Sequence, residues 1–387
     1  MRAQAALATR VSDVVPSSIQ ELSHQAKERG AINLAEGFPD FEIDGRVVEE
    51  AVQAMRGGSN QYSDCWELKQ AVAKTFSKAQ GVPVDAQEEV VVTCGQTEAL
   101  AMAVLAMVEP GDEVVLFEPL YETYSAIVKL AGGTPVYVQL HPPDWTFCKE
   151  ELEAAINKNT KAVVLNSPHN PTGKVFTRLE LQAIAKICSH HFCYVISDEV
   201  YENFVYTEDK HISFMSLPNM KDRCIVTSSA SKTFHVTGWR IGWAIACKEI
   251  AEAISNLHVK FADSAPAPFQ VAIASALNFE HEYMARLQET YAEKRRVVCQ
   301  QLIKAGYDLP HWPAGSFYVF ARIPEWTGNA TDVQYAEHLL QNKGVAVVPG
   351  HVFWEGGSAA CEEYKNKYVR IAYCKKDSTL DAVLPCL

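Results

Sequence analysis

No apolar run in this chain approaches the ~20 residues a helix needs to cross a bilayer. The opening residues also lack the apolar core of a secretory signal. Basic charge is scarce: 35 Lys and Arg stand against 47 Asp and Glu, a formal net charge of −12. That balance excludes a surface built for nucleic-acid phosphates or an anionic membrane, though a local site can still take a small anion. The 11 cysteines form no CxxC pair and no metal-ligand spacing, so no metal is expected. Several lie inside apolar runs, where a thiol packs as a small hydrophobe. Reduced cysteines in a cytoplasmic compartment are therefore expected. Arg2 and Arg10, in an opening without acidic residues, keep an organellar address open. Repeats and low-complexity tracts are absent.

What is present is an ordinary globular composition over 387 residues, with 48% hydrophobic and 21% charged. That length exceeds what one compact core usually holds, so two domains or one large α/β body are expected. From residue 89 short β-branched runs alternate with helical patterns. The runs are Val90–Thr93, Val114–Phe117, Ala162–Asn166, Cys193–Ser197, Ile225–Ser228 and Trp239–Ala246. Strands this apolar, separated by amphipathic stretches such as Arg178–Ser189, indicate an α/β fold with a mainly parallel central sheet covered by helices. The pattern then changes to a helix over Glu280–Ala305, a strand over Ser316–Arg322, a helix over Thr331–Lys343, and strands over Val345–Val348 and Tyr368–Tyr373. This reads as a smaller α+β domain. The expected division is 1–44 joining the small domain, 45–280 as the large domain and 281–387 as the small C-terminal domain.

Four segments, each following an expected strand, carry residues suited to chemistry. In Thr93-Cys-Gly-Gln-Thr-Glu-Ala-Leu100 the N–H groups of Gly95, Gln96 and Thr97 open a helix, a ready phosphate site; the plainer reading is a capped helix without ligand. In Asn166-Ser-Pro-His-Asn-Pro-Thr-Gly173, Asn170 is held extended before Pro171 and offers its amide at a strand end; otherwise this is a Pro/Gly loop. In Ser197-Asp-Glu-Val-Tyr201, Asp198 closes an apolar strand, and its carboxylate needs a cation or strong donors; a bare Asp-Glu pair is more often a helix cap. In Ser228-Ser-Ala-Ser-Lys-Thr-Phe234, Lys232 follows small residues in an apolar stretch, where poor solvation lowers an amine pKa and favours imine chemistry. A lone buried lysine is more often ion-paired structure. Arg240, eight residues on, can grip phosphate.

In this order and spacing, these segments resemble the class I/II aminotransferases of the aspartate aminotransferase superfamily, the pyridoxal 5′-phosphate (PLP) enzymes of fold type I. The resemblance runs from Leu34-Ala-Glu-Gly-Phe-Pro-Asp40 through Tyr368-Val-Arg-Ile-Ala-Tyr373. The segments Ala35-Glu-Gly-Phe-Pro39, Ser167-Pro-His-Asn-Pro-Thr-Gly173, Lys232-Thr-Phe234 and Thr237-Gly-Trp-Arg240 bring it nearest to the kynurenine, glutamine–phenylpyruvate and methionine aminotransferase group. The resemblance implies that Lys232 carries PLP as a Schiff base and moves the proton between Cα and C4′, while Asp198 pairs with the pyridine nitrogen. Tyr201 and Asn170 would bond the ring O3′, and Tyr121 would stack on the ring. Gly95, Gln96, Thr97, Ser229 and Arg240 would hold the phosphate, joined by Tyr62 from the neighbouring subunit of a homodimer. Arg370 would grip the substrate α-carboxylate, helped by Asn170 and the backbone of Gly37.

The stretch Tyr62-Ser-Asp-Cys-Trp-Glu-Leu68 departs from the family pattern, being about three residues shorter and without glycine. That departure keeps open a PLP lyase or cyclase on the same scaffold, beside the leading expectation of amino transfer from an amino acid to a 2-oxo acid. A degenerate PLP-binding regulator would not need both Lys232 and Arg370. The chain also closes at Leu387, ahead of the final helix the resemblance leads one to expect. In dicarboxylate-specific members an arginine from the partner holds the distal carboxylate. The corresponding segment, Phe261–Phe269, has no arginine and contains Asp263. Two carboxylates at ~4 Å repel by about 1–4 kcal/mol, so neutral aromatic or thioether amino acids are expected as donors. Ile19, Phe38 and Tyr124 are candidates for the apolar side-chain pocket. Phe317, Tyr318 and Phe320 are expected in the small-domain core, and Lys375-Lys376 as a solvated pair.

Overall fold

The computed structural model describes residues 8, 11, 14–208, 210–279 and 281–387. Arg2, Arg10 and Glu280 fall outside the described residues. β1 (Ile32–Asn33) precedes the strands of the large sheet: β2 (Val90–Cys94), β3 (Glu113–Glu118), β4 (Thr134–His141), β5 (Thr146–Phe147), β6 (Thr160–Asn166), β7 (Tyr194–Asp198), β8 (Cys224–Ser229) and β9 (Ile241–Ile245). After them come β10 (Tyr318–Arg322), β11 (Val345–Ala346), β12 (Val348–Pro349) and β13 (Tyr368–Ala372).

The large sheet has the order β2-β9-β8-β7-β6-β3-β4-β5. Pairing is parallel from β4 through β3, β6 and β7 to β8. β9 runs antiparallel to both β8 and β2, and β5 antiparallel to β4. Successive strand residues point to opposite faces, and here both faces are buried. Val115, Val163, Val195 and Val226 pack into one core, whereas Val114, Leu116, Ala162, Val164, Ile196 and Ile225 pack into another. This two-sided burial is why the strands read as unbroken apolar runs. β4 escaped that criterion because Thr134, Gln139 and His141 interrupt it and its first half is only partly covered.

The later elements form a third core around Val319, Ile371 and Tyr373. β10, β13 and β12 make an antiparallel sheet, and β1 pairs in parallel with β11. The single strand expected over Val345–Val348 is thus two short strands in different sheets. The expected helix over Thr331–Lys343 is α-helical over Asp332–His338 and widens to a π-turn over Leu339–Lys343. A terminal helix, Asp377–Val383, is present, contrary to the expectation that the chain stops short of one. All 11 cysteines are free thiols.

The N-terminal helix α1 (Ser18–Arg29) is capped by Ser17, whose Oγ accepts from the Gln20 N–H at 3.2 Å. It packs Ile19 and Ala26 into the first core.

Candidate active site

Strands β6, β7 and β8 end side by side at Asn166, Asp198 and Ser229, and the crevice beyond carboxyl ends of such strands is where α/β sheets bind ligands. A cavity of ≈ 330 Å³ opens there.

One end is suited to an anion. β2 enters the helix Gln96–Met107 through Gly95, at φ 80 and ψ 168, a conformation open to glycine. A Cβ at Gly95 would lie 2.3 Å from the Arg240 guanidinium, so the missing side chain is what lets Arg240 lie against the helix start. Arg240 donates from Nη1 to the Thr237 carbonyl (3.1 Å) and from Nη2 to the Cys94 carbonyl (3.3 Å). Ser229 Oγ caps the turn that carries Lys232, accepting from the Ser231 N–H at 3.3 Å. Ser231 Oγ is buried and, among the described residues, has no hydrogen-bond partner.

The middle holds the titratable groups. Asp198 is 3% exposed, and its carboxylate accepts from the Tyr124 hydroxyl at 2.7 Å and the Val200 N–H at 3.2 Å. Burial raises its pKa to about 6, against the stabilising bonds from Tyr124 and Val200. Behind it, Glu199 accepts from Ser197, Ser213 and the Phe214 N–H and pairs with His211 at 2.9 Å. Glu202 lies beside this pair. Glu199 is thus satisfied within a buried network, and its charge adds to the upward push on Asp198. Lys232 donates to the Gly37 carbonyl at 2.8 Å, and desolvation lowers its pKa to about 8. An amine so tuned is largely available as a nucleophile at mildly alkaline pH.

The other end holds a buried arginine. Arg370, 1% exposed, donates from Nη1 to Asn170 Oδ1 at 2.8 Å and from Nη2 to the Ala35 carbonyl, and its guanidinium lies 4.3 Å above the Tyr318 ring. Among the described residues its Nε has no acceptor. Asn170 is fixed in turn by its own N–H, which donates to Asn166 Oδ1 at 2.7 Å.

The cavity therefore gathers Gln96, Thr97, Tyr121, Asn170 and Asp198 with Tyr201, Ser229, Lys232, Arg240 and Arg370, and on its α1 side Ile19, Gly37 and Phe38. Gly95 stands behind Arg240. Tyr62 is 79% exposed, and Asp263 is exposed at the end of a helix with φ 56; both lie outside the cavity of their own chain. The short loop after Tyr62 is tied down by Gln270, which accepts from the Cys65 N–H at 3.1 Å and donates to the Ser63 carbonyl at 2.9 Å.

Three expectations need correction. Tyr124 is not a plain apolar wall: its hydroxyl is committed to Asp198. Tyr318 is more than core: its hydroxyl lies 3.1 Å from that of Tyr201, and its place beneath Arg370 leaves no room for a Cβ at Gly37. Lys375 is not solvated; it is 2% exposed and donates to the Phe38 carbonyl at 2.8 Å, fixing the 36–38 loop. Tyr318 carried a faint signal, since β10 alternates Tyr318, Phe320 and Arg322 on one face, but its partner across the register could not be read from sequence.

A strand-edge cavity joining an amine, a buried carboxylate, a helix-start anion site and a buried arginine is the arrangement of a PLP enzyme acting on amino acids. The chain belongs to the class I and II aminotransferase family, whose sequence model matches residues 29–385. It is 35% identical to the probable N-succinyldiaminopimelate aminotransferase of Mycobacterium tuberculosis, over 97% of this chain and 96% of that protein. It is 34% identical to kynurenine–oxoglutarate transaminase 3 of Rattus norvegicus, over 94% and 85% of the two chains. The crystal structure that identified a methionine aminotransferase function in Escherichia coli superposes with a TM-score of 0.92 at 30% identity, covering 99% of each chain.

The protein is thus an aminotransferase of fold type I, and its cofactor is PLP. The residues present fit that cofactor: the Ser231 Oγ and the Gly95–Arg240 cradle lie where a phosphate would dock, and among the described residues the buried Asp198 has no ion-pair partner, the place a protonated pyridine nitrogen would take.

Proposed function

We propose that this aminotransferase takes its nitrogen from α-amino acids with large, non-acidic side chains, aromatic or thioether, and passes it to a 2-oxo acid. The observation that carries this reading is the Arg370–Asn170 pair at one end of a cavity whose side wall presents Ile19, Phe38 and Tyr121. The names of relatives acting on methionine and kynurenine agree with it. PLP, when bound, supplies the carbonyl that takes up the amino group and the ring that draws electron density from Cα. In this reading Arg370 fixes the substrate carboxylate, and Asn170 orients Arg370. Lys232 removes and returns the Cα proton. Asp198, held by Tyr124, keeps the ring nitrogen protonated, and Tyr201 and Asn170 bond the ring hydroxyl. The first-turn N–H groups, Ser229 and Arg240 take the phosphate.

The exposed Tyr62 is assigned to the phosphate of a partner subunit, which makes the working unit a homodimer. The chain divides at about residues 44 and 280, with the N-terminal segment joining the small domain, and acts in the cytoplasm. Single half-reactions of the PLP-loaded protein test the reading. Phenylalanine and methionine should convert the cofactor to its amine form with one equivalent of 2-oxo acid, and aspartate much more slowly. Release of ammonia with the cofactor unchanged would instead mark elimination and refute amino transfer.

A further inference from the structure

The segment Leu34–Asp40, which brings Gly37 and Phe38 to the cavity, is bound along its length by β13 and the residues that follow it. The Leu34 carbonyl accepts from the Ala372 N–H at 2.9 Å, and the Ala35 carbonyl accepts from Arg370. The Glu36 and Phe38 carbonyls accept from Lys375 Nζ at 3.3 and 2.8 Å. Asp40 takes the Lys376 N–H and, at 2.7 Å, the Thr379 hydroxyl. Gly37 is the exception, since its carbonyl accepts from Lys232 at 2.8 Å. Lys375 is 2% exposed, its Nζ lies 3.9 Å from the centroid of the Phe38 ring, and among the described residues it has no carboxylate partner. An ammonium carries enough N–H groups to serve two carbonyls and still face the negative side of a ring. Burial holds its pKa below the ordinary lysine value, a cost that an apolar side chain at this place would not carry.

The three cations on this segment differ in their duties. Arg370 and Lys232 are assigned to the substrate carboxylate and the Cα proton, so the bond from Lys232 to Gly37 must break whenever the lysine works. Lys375 does not line the cavity, and its bonds can last through turnover. Building on the proposed preference for large, non-acidic donors, we infer that Lys375 is a positioning residue for side-chain selection: it keeps the Phe38 ring at the cavity wall while Gly37 loses and regains its donor. Without Lys375, Arg370 still holds the Ala35 carbonyl and Asn170 still holds Arg370. The peptide from Glu36 to Phe38, however, loses both carbonyl bonds, and the ring loses its ammonium. Loss of Lys375 therefore damages discrimination between side chains more than it damages carboxylate binding.

Two unreactive carboxylates, acetate and 3-phenylpropanoate, titrated into the PLP-loaded protein and read from the cofactor absorbance, separate the two effects. Lys375→Met keeps the length and apolar stem of the side chain. It should bind acetate within about threefold of the parent and 3-phenylpropanoate about tenfold more weakly. With phenylalanine as donor, KM should rise by a similar factor while kcat stays within about threefold; with alanine neither should move further than that. Lys375→Gln, which retains an N–H donor, is the second variant should methionine leave the chain unfolded, and it should lose part of the same preference. A folded variant with a lower Tm that binds both probes as the parent does would overturn the inference, leaving Lys375 a packing residue. Equal weakening of both probes would overturn it too, because the lysine would then act on the arginine end. A parent that binds 3-phenylpropanoate no tighter than acetate would sink the aromatic reading and this inference with it. Arg370→Met keeps the two ideas apart. If that variant binds both probes as the parent does, the carboxylate anchor is wrong. If it weakens both while Lys375→Met changes neither, only the present inference fails.

Discussion

Tyr124→Phe removes one hydroxyl and little else, and its effect can be worked from the site. In the parent, burial lifts Asp198 to about pKa 6 while the 2.7 Å bond from Tyr124 pulls it down. A hydrogen bond to a charged group is worth about 1.5–3 kcal/mol, and one pKa unit is about 1.4 kcal/mol. Losing the bond should therefore raise Asp198 by about 1–2 units in the cofactor-free protein. At pH 7 the ionised fraction falls from roughly nine-tenths to between one half and one tenth. Pairing with a protonated pyridine nitrogen requires the ionised form, so cofactor affinity should weaken and its pH midpoint should move upward. Titrating PLP into the cofactor-free variant between pH 5 and 9, followed by the bound chromophore, measures that midpoint. An unchanged midpoint, with the fold intact by circular dichroism, would refute the claim that Tyr124 governs the charge of Asp198.

Lys232→Ala should retain PLP through its phosphate and ring contacts but lose several orders of magnitude in turnover, as single-turnover absorbance will show. Because the folded pKa of Lys232, about 8, lies below its ordinary 10.5, the cofactor-free protein should gain stability as pH rises from 8 to 10.5; thermal melts of Lys232→Met should lack that rise. Arg370→Lys forfeits the planar fork held by Asn170 and Ala35, and should lower kcat/KM by about 10- to 100-fold, chiefly through KM. Tyr62→Phe, at an exposed position, should change chain stability by less than ~0.5 kcal/mol yet speed PLP loss from the dimer, measured by dialysis.

The parts of the site legible in sequence were those that chemistry confines to one strand end. Gly95 before a helix, Asp198 closing an apolar strand and Lys232 after small residues each carry a local signature, as do the doubly buried strands β3, β6 and β7. What stayed hidden depends on partners far away in the chain. Tyr124 meets Asp198 across 74 residues and Tyr318 meets Tyr201 across 117, and no local pattern encodes either bond. Lys375 beside Lys376 looks like a surface pair because only tertiary packing decides which amine is folded inward.

The β8–β9 hairpin gives the site a history as well as a shape. Ser229 and Gly242 face each other in its register, with Lys232 and Arg240 on the connection between them. Closing so short a loop costs little entropy, whereas Arg370 and Asn170 must meet across 200 residues. In a refolding chain Ser229, Lys232 and Arg240 can therefore come together before Arg370 meets Asn170. A chain still gathering its C-terminal third can already present a foothold for phosphate, and a ligand captured there favours the folded side of the remaining steps by mass action.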